Sequence, residues 1–365
     1  MKLAAVTQFL KEQKQPIFRL SQVKRAFYVE GITSWDGVST WSKALRDAAA
    51  REIPWDELKP LKTQVSSKGD TVKTLFELKD GKKIETVIMR HEGGRNTVCI
   101  SSQVGCAMAC SFCATGTMGL NRNLTSDEIA EQVVQMRRWL KENGNAHVTN
   151  VVYMGMGEPF NNYDEVMKSV RTLNDHEGIN LGARHISIST CGLIPGILRL
   201  ADEQIQVNLA ISLHSAVNTT RSKIMPVNKA FPIEKLMAAI ETYTRKTNRK
   251  VFFEYLMLKD INDSEAEAEA LIKLLEKDRR LYHINLIKYH DTDAYTSTAT
   301  PSRIRFMHLL QRAGISVTHR ITFGEDIDAA CGQLAINEYS GELKQGIQAA
   351  KASRAEKQAK AAIKT

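Results

Sequence analysis

Cys106, Cys110 and Cys113 stand at C-x-x-x-C-x-x-C spacing inside the stretch Cys99–Gly119. A short loop carrying three thiols this close can converge them on one soft metal centre, because thiolate favours zinc, Cu(I) or iron–sulfur. The count of three matters. A structural zinc site takes four ligands, as does an ordinary electron-transfer 4Fe-4S cluster. Three thiolates on a cubane leave one iron open to a substrate or cosubstrate. The competing readings are a zinc knuckle completed by a distant Cys or His, and plain buried thiols, which are seldom spaced this way.

Other residues with chemical capacity fall at the ends of apolar runs. Val151-Val152-Tyr153 leads into Met154-Gly155-Met156-Gly157-Glu158-Pro159. The two glycines let a ligand approach the backbone closely, and the Glu158 carboxylate can hold an ammonium group. Ser187-Ile188-Ser189-Thr190 and Ser212-Leu213-His214 end two further runs with polar tips. A plain turn or an ordinary strand end explains each alone; together, after a three-Cys loop, they could surround one polar ligand.

The elements that must position these groups follow from periodicity. From Val98 onward, β-rich runs (Val98–Ser101, Val148–Met154, His185–Thr190, Val207–Leu213, Val251–Leu258, His283–Tyr289, Ser316–Phe323) alternate with helical stretches near 126–142, 163–174, 232–246, 264–277 and 302–313. Thr125 and Glu128 form a capping-box pair for the first of these. Alternation implies a parallel sheet, so the expected fold is α/β, a full or partial (β/α) barrel, with a doubly wound open sheet as the alternative. In a barrel, functional groups collect at the C-terminal strand ends.

Upstream, residues 2–14, 21–30 and 39–50 read as short amphipathic helices, with Arg19, Lys24, Arg25, Lys43, Arg46 and Arg51 available at their surface. Pro54 and Pro60 mark a linker. Thr71–Lys79 and Lys82–Met89 read as a hairpin joined by Asp80-Gly81, the sequence of a type I′ turn. The expected organisation is a helical RNA-binding accessory domain over 1–62, a β-hairpin extension over 63–97, the barrel core with its terminal Cys segment over 98–341, and a basic, disordered tail over 342–365.

Lys and Arg number 50 against 41 Asp and Glu, a net charge of +9. The excess sits at both ends: 11 against 7 in residues 1–62 and 6 against 1 in 344–365, with the middle balanced. Basic ends on a neutral core suit a polyanionic partner such as RNA. No apolar run approaches the length that spans a bilayer, so no membrane partner is expected. The first residues are too short and amphipathic a stretch for a secretory signal. Six Cys without such a signal point to a reducing, cytoplasmic setting and to metal or catalytic thiols.

Two more stretches make the pattern specific: Phe323–Leu334, with Cys331 in Ala329-Ala330-Cys331-Gly332, and Cys99, seven residues before Cys106. With Phe112 before the third Cys of the loop, with Met154–Pro159, and with Ser212–His214 followed by Met225-Pro226-Val227-Asn228, the chain resembles the RlmN/Cfr family of radical S-adenosylmethionine (SAM) adenosine methyltransferases. The resemblance runs from about residue 15 to residue 338. It implies that Cys106, Cys110 and Cys113 ligate a 4Fe-4S cluster, and that Gly157, Glu158, Ser189, Ser212, Leu213, His214 and His290 lie at SAM-contacting positions. It implies that Cys331 carries a methyl group taken from one SAM. A 5′-deoxyadenosyl radical from a second SAM then takes a hydrogen from that methyl, and the methylene radical adds to an adenine carbon. Glu85, in Ile84-Glu85-Thr86-Val87, matches the carboxylate that deprotonates this carbon. Cys99 resolves the adduct by attacking Cys331, leaving a transient disulfide. The adenine C2 and C8 carbons carry no lone pair, which closes direct attack on a sulfonium methyl and calls for a radical route.

The implied partners are RNA, with an adenosine of 23S rRNA as target and tRNA as alternative, and an unidentified one-electron donor. A non-catalytic RNA-binding protein with a structural metal is the reading from a different class. Cys191 has no family role and reads as an ordinary thiol. The chain departs from the family pattern at His290, where an Asn-Pro element has Asn, and at Phe323-Gly324, where Arg-Gly is usual. Phe323, Ser215 and the 14-residue interval from Glu85 to Cys99 lean towards C8 chemistry; His290 and Pro159 do not.

Overall fold

The apolar runs from Val98 onward become strands of one sheet. The computed structural model describes residues 1–144, 146–291 and 294–334; the expectation of a disordered basic tail over 342–365 falls outside them. The strands are β1 (Leu58–Val65), β2 (Thr71–Leu78), β3 (Lys83–Arg90), β4 (Asn96–Cys99), β5 (Gln103–Cys106), β6 (Gly119–Asn123), β7 (Asn150–Tyr153), β8 (Ile186–Thr190), β9 (Asn208–Ser212), β10 (Val251–Met257), β11 (Tyr282–Lys288) and β12 (Ser316–His319). Strands β4 and β7 to β12 lie side by side in chain order and all parallel. An order that never reverses has no switch point, so the doubly wound alternative falls. Successive right-handed crossovers of one sense curl such a sheet, which makes the core an α/β partial barrel with β1 and β12 as the edges of the ten-stranded sheet.

Helices Tyr163–Asn174, Ile194–Ala201, Ile233–Thr247, Glu265–Leu275 and Thr300–Arg312 fill the crossovers. The helix Ser126–Glu142 precedes β7, and its capping box is complete: Glu128 N–H donates to Thr125 Oγ1 at 3.2 Å and Thr125 N–H to Glu128 Oε2 at 2.9 Å. Periodicity missed Ile194–Ala201, whose Ile194-Pro195-Gly196 start looks like a turn. Pro is favourable in the first helical turn, and a side chain at Gly196 would meet the Phe160 ring at 2.5 Å.

On the other side of β4 the sheet continues antiparallel through β3, β2 and β1. The expected linker at Pro60 is thus a strand. Pro60 sits on the sheet edge at a register shift, where its missing N–H costs nothing, and exposed Lys59 and Lys62 guard that edge against further pairing. The turn at Asp80-Gly81 is not type I′, which needs positive φ at both central residues. Gly81 alone has it (φ 75°), and its N–H closes the turn onto the Leu78 carbonyl at 2.9 Å.

The helices Leu3–Glu12, Phe18–Lys24 and Lys43–Glu52 enclose a core containing Phe9, Phe27, Trp35, Trp41 and Trp55, which Val134 of the Ser126–Glu142 helix joins. Half of the expected surface cations are used inside the protein. Lys24 pairs with Asp175 at 2.5 Å, and Arg19 and Arg46 donate to the carbonyls of Thr40 and Trp41. Arg25, Lys43 and Arg51 remain exposed.

Candidate active site

Two cavities open at the C-terminal ends of the parallel strands and share a wall made by Cys113, Met154, Gly155, Ile287, Arg320, Cys331 and Gly332. The first, of about 150 Å³, takes in Cys106 at the end of β5, Cys110 and Cys113 from the loop that follows, Glu158 after β7, and Ser189, Ser212 and His214 from the ends of β8 and β9. The second, of about 90 Å³, holds Cys99 at the end of β4, with Val87 and Met89 of β3 and the segment after β12. Cys331 faces both.

Local interactions fix the walls of the first cavity. The Glu158 carboxylate is buried; Oε1 accepts from Phe160 N–H at 3.0 Å and Oε2 from Cys191 N–H at 2.7 Å. Burial raises its pKa despite those bonds, so an ammonium group brought alongside would be strongly favoured. His214 has φ 58°, unusual without glycine. Three bonds hold it there: its N–H to the Glu254 carbonyl, Asn262 Nδ2 to its own carbonyl at 2.6 Å, and Leu256 N–H to Nδ1 at 3.0 Å. Burial, with Arg221 behind it, lowers the His214 pKa to about 3. Nδ1 is therefore an acceptor, and the neutral ring keeps its proton on Nε2.

The glycines also serve the protein's own packing. A side chain at Gly155 would strike the Ile100 carbonyl at 2.7 Å, and one at Gly157 (φ 104°) the Gln103 side chain at 2.6 Å. They let the chain after β7 pack on the chain after β4, as well as lining the cavity. Leu213 is fully buried, outside both cavity walls, and contributes backbone only: its carbonyl accepts from Arg221 Nε at 3.0 Å.

Burial pushes the Cys106 thiol up to about 11 and raises Cys110 and Cys113 as well, so metal loading must displace protons. Among the described residues no three His, Cys, Asp or Glu gather closely enough for a single ion, which a zinc knuckle would require. A cubane is less demanding, because each thiolate takes a different iron, and three thiols on one cavity wall opposite a buried carboxylate fit it. Cys191 also lines this cavity, but it is engaged with Glu158. All six cysteines are free thiols in this structure.

In the second cavity Cys99 is buried, and its thiol rises to about 12 through burial first and the neighbouring Cys331 second. His290 lines this cavity rather than the one holding Ser189 and His214, and Glu325 Oε1 stands 3.8 Å from its Nε2. Glu85 lines neither. It is buried on β3, on the same face as Val87, which pairs with Cys99. Lys73, also buried, ties it to the Cys331 segment: Nζ lies 3.3 Å from Glu85 Oε1 and 3.1 Å from the Asp328 carbonyl. Two bonds clip the same segment to the cysteine loop, Ala114 N–H to the Gly332 carbonyl at 2.8 Å and Thr115 Oγ1 to the Leu334 carbonyl at 2.6 Å.

Sequence reasoning missed three charged residues. Arg320, on the wall between the cavities, reaches Glu254 Oε2 at 3.3 Å, and Asn285 holds Glu254 Oε1 at 2.9 Å. Burial works against the Arg320 charge, but Cys331, Glu254 and Cys99 outweigh it and raise its pKa. Arg221 is fully buried and donates to the carbonyls of Leu213, Cys191 and Ser212 and to Asn228 Oδ1. It thereby joins two strand ends to the Met225–Asn228 motif. Burial lowers its pKa to about 10, leaving it charged at neutral pH. Arg221→Met leaves four buried acceptors without their donor, and the expected loss is about 3–5 kcal/mol, read as a lower Tm. An unchanged Tm would deny it this organising role.

Comparison with known proteins agrees with this geometry. Residues 100–275 match the Radical SAM superfamily model. The chain is 44% identical over 321 residues to a "Probable dual-specificity RNA methyltransferase RlmN" of Enterococcus faecalis, covering 87% of this chain and 89% of that one. A protein of the same description from Dictyoglomus thermophilum is 44% identical over 322 residues, 88% of this chain and 91% of the other. Among solved structures, a radical SAM methyltransferase from Sphaerobacter thermophilus matches with a TM-score of 0.87 at 44% identity, covering 92% of this chain and 97% of that one.

Proposed function

The chain belongs to the RlmN family of radical SAM RNA methyltransferases, and from that premise we propose that it methylates a carbon, C2 or C8, of an adenosine in 23S rRNA through a methyl carried on Cys331. The observation that carries the reading is the position of Cys331 on the wall between the cavities, with the three-cysteine loop on one side and Cys99 on the other. One thiol can be loaded from the first cavity and discharged into the second without leaving its place.

Cys106, Cys110 and Cys113 would hold the 4Fe-4S cluster. Glu158, Ser189, Ser212 and His214 would hold SAM, with the Glu158 carboxylate on its ammonium group and the His214 Nε2–H as a donor. When bound, this pair supplies the methyl group and the 5′-deoxyadenosyl radical. The chain's own residues do the rest. Cys331 carries the methyl; Glu85, kept near the Cys331 segment by Lys73, takes the proton from the adenine carbon, and the adduct's unpaired electron leaves to the cluster. Cys99 then attacks the Cys331 sulfur, the S–S bond forming as the C–S bond to the base breaks, and the freed carbon takes up a proton to complete the methyl. The exposed cations of residues 1–62 that would meet RNA phosphates are Arg25, Lys43 and Arg51, fewer than the sequence alone suggested, and Arg25 and Lys43 pair with Glu30 and Asp47. The described residues contain no helix long and apolar enough to cross a membrane.

Mass spectrometry of nucleosides from rRNA and tRNA of cells with and without the protein tests the proposal. The expected result is loss of 2-methyladenosine or 8-methyladenosine from 23S rRNA in cells without it. Loss from tRNA alone would move the target, and identical nucleosides in both strains would end the reading.

A further inference from the structure

We propose that Phe323 is the stacking platform for the target adenine, at the mouth of the second cavity; the proposal rests on the function proposed above. β12 stops at His319, and Arg320 makes one more ladder-like bond, its N–H to the Leu286 carbonyl at 2.8 Å. Ile321-Thr322-Phe323 then leaves the sheet and runs along the cavity towards Cys331. This is where the structure ends the strand earlier than periodicity expected, and the released residues become wall.

The wall presents large apolar side chains at its mouth, with Lys288, His290 and Arg320 elsewhere in its lining. Ile321 is 70% exposed, Met89 and Phe323 are half-buried, Cys331 is exposed beside them, and Cys99 lies buried. A large apolar side chain left open to water beside reactive thiols suggests a ligand with an apolar face. Phe323 is braced for such a role. The His91 ring packs against it at 4.6 Å and 68°. His91 in turn is held by Arg95 at Nδ1 (2.9 Å) and by Thr97 Oγ1 near Nε2 (3.4 Å). Burial, then Arg95 and Arg320, lower the His91 pKa, so this bracing ring is neutral and offers no charge to a phosphate.

A flipped-out purine meets these conditions. Unstacked RNA bases are recognised by stacking on aromatic side chains, and the adenine carbon must come within bonding distance of the methyl on Cys331. A base lying on Phe323 would enter edge-first towards that sulfur, and exposed Arg95 beside His91 is placed to meet an adjoining phosphate. Phe323 is also one of the two positions where the chain departs from the family pattern. A phenyl ring reads the face of a base and cannot hold a phosphate, so its contribution should be insensitive to salt.

The test uses the full-length protein and a short RNA that nucleoside analysis shows to be methylated, remade with 2-aminopurine in place of the modified adenosine. Binding to the wild-type protein should quench the fluorescence. Phe323→Ala should bind about ten- to a hundred-fold more weakly, lose the quench and keep the same slope of affinity against salt. Phe323→Tyr should restore both. Phe323→Leu keeps an apolar contact with His91 without a ring, and should behave like the alanine variant; it also answers the objection that alanine merely loosens the fold. If the alanine or leucine variant binds and quenches like wild type, Phe323 is no platform, although RNA methylation would still stand. If no RNA is methylated by the wild-type protein, both proposals fall together.

Discussion

A Cys331→Ala variant is expected to lose RNA methylation by at least about a thousand-fold, while SAM bound in the first cavity is still cleaved to 5′-deoxyadenosine. The argument is positional. Glu158, Ser189, Ser212 and His214, the groups proposed to hold SAM, line the three-cysteine side of the wall, and Cys99 lies on the other with His290. Cys331 faces both, and Cys113, the other cysteine on the shared wall, belongs to the loop assigned to the cluster. Alanine removes that atom and little else, because the segment is held by other groups: Ala114 N–H on the Gly332 carbonyl, Thr115 Oγ1 on the Leu334 carbonyl, and Ala329 N–H on the Gly324 carbonyl at 2.9 Å. The measurement is methyl incorporation into RNA set beside 5′-deoxyadenosine release. Methylation that survives would remove Cys331 from the reaction. Loss of both products would instead place the defect in the first cavity.

Cys99→Ala is expected to do the opposite to the RNA: it should keep it. Without the thiol that attacks Cys331, the adduct has no exit, and protein should migrate with labelled RNA on a denaturing gel in nearly stoichiometric amount. The wild-type environment adds a detail. Burial holds the Cys99 thiol at about 12, so at neutral pH it is almost wholly protonated, and its thiolate fraction rises about tenfold per pH unit below that value. Product release should therefore speed up with pH across the neutral range in the wild-type protein, with methyl loading of Cys331 unaffected by Cys99→Ala. Free product from the variant at the wild-type rate would exclude Cys99 as the resolving group.

The features legible in the sequence are those whose cause is local. The spacing of Cys106, Cys110 and Cys113 is set by one loop, and the parallel sheet follows from apolar runs alternating with helical ones. Thr125 and Glu128 lie three residues apart, and their capping box needed no tertiary information. The rest depends on partners far along the chain. Arg221 becomes important only because Cys191, Ser212, Leu213 and Asn228 all point carbonyl or amide oxygens at it. Lys73 looks like any strand lysine until Asp328 and Glu85 flank it. The glycines at 155 and 157 carried a signal of close approach, and the sequence could not show that the protein's own Ile100 and Gln103 come close there as well. Pro60 signalled a break in pairing and proved to mark an edge strand, since only one side of an edge has to pair. Likewise His290 is near in sequence to β11 like its family counterpart, yet the curl of the sheet delivers it to the cavity of Cys99.

The Cys331 segment is clipped on one side by Lys73 and on the other by Ala114 and Thr115, more than two hundred residues earlier in the chain. A ribosome makes these holders first. Synthesis runs from the N-terminus and domains gain structure as they emerge, so a nascent chain holds every group of the three-cysteine cavity except Cys331 and Gly332 before the reacting sulfur exists. The sulfur then docks into a receptacle already shaped for it.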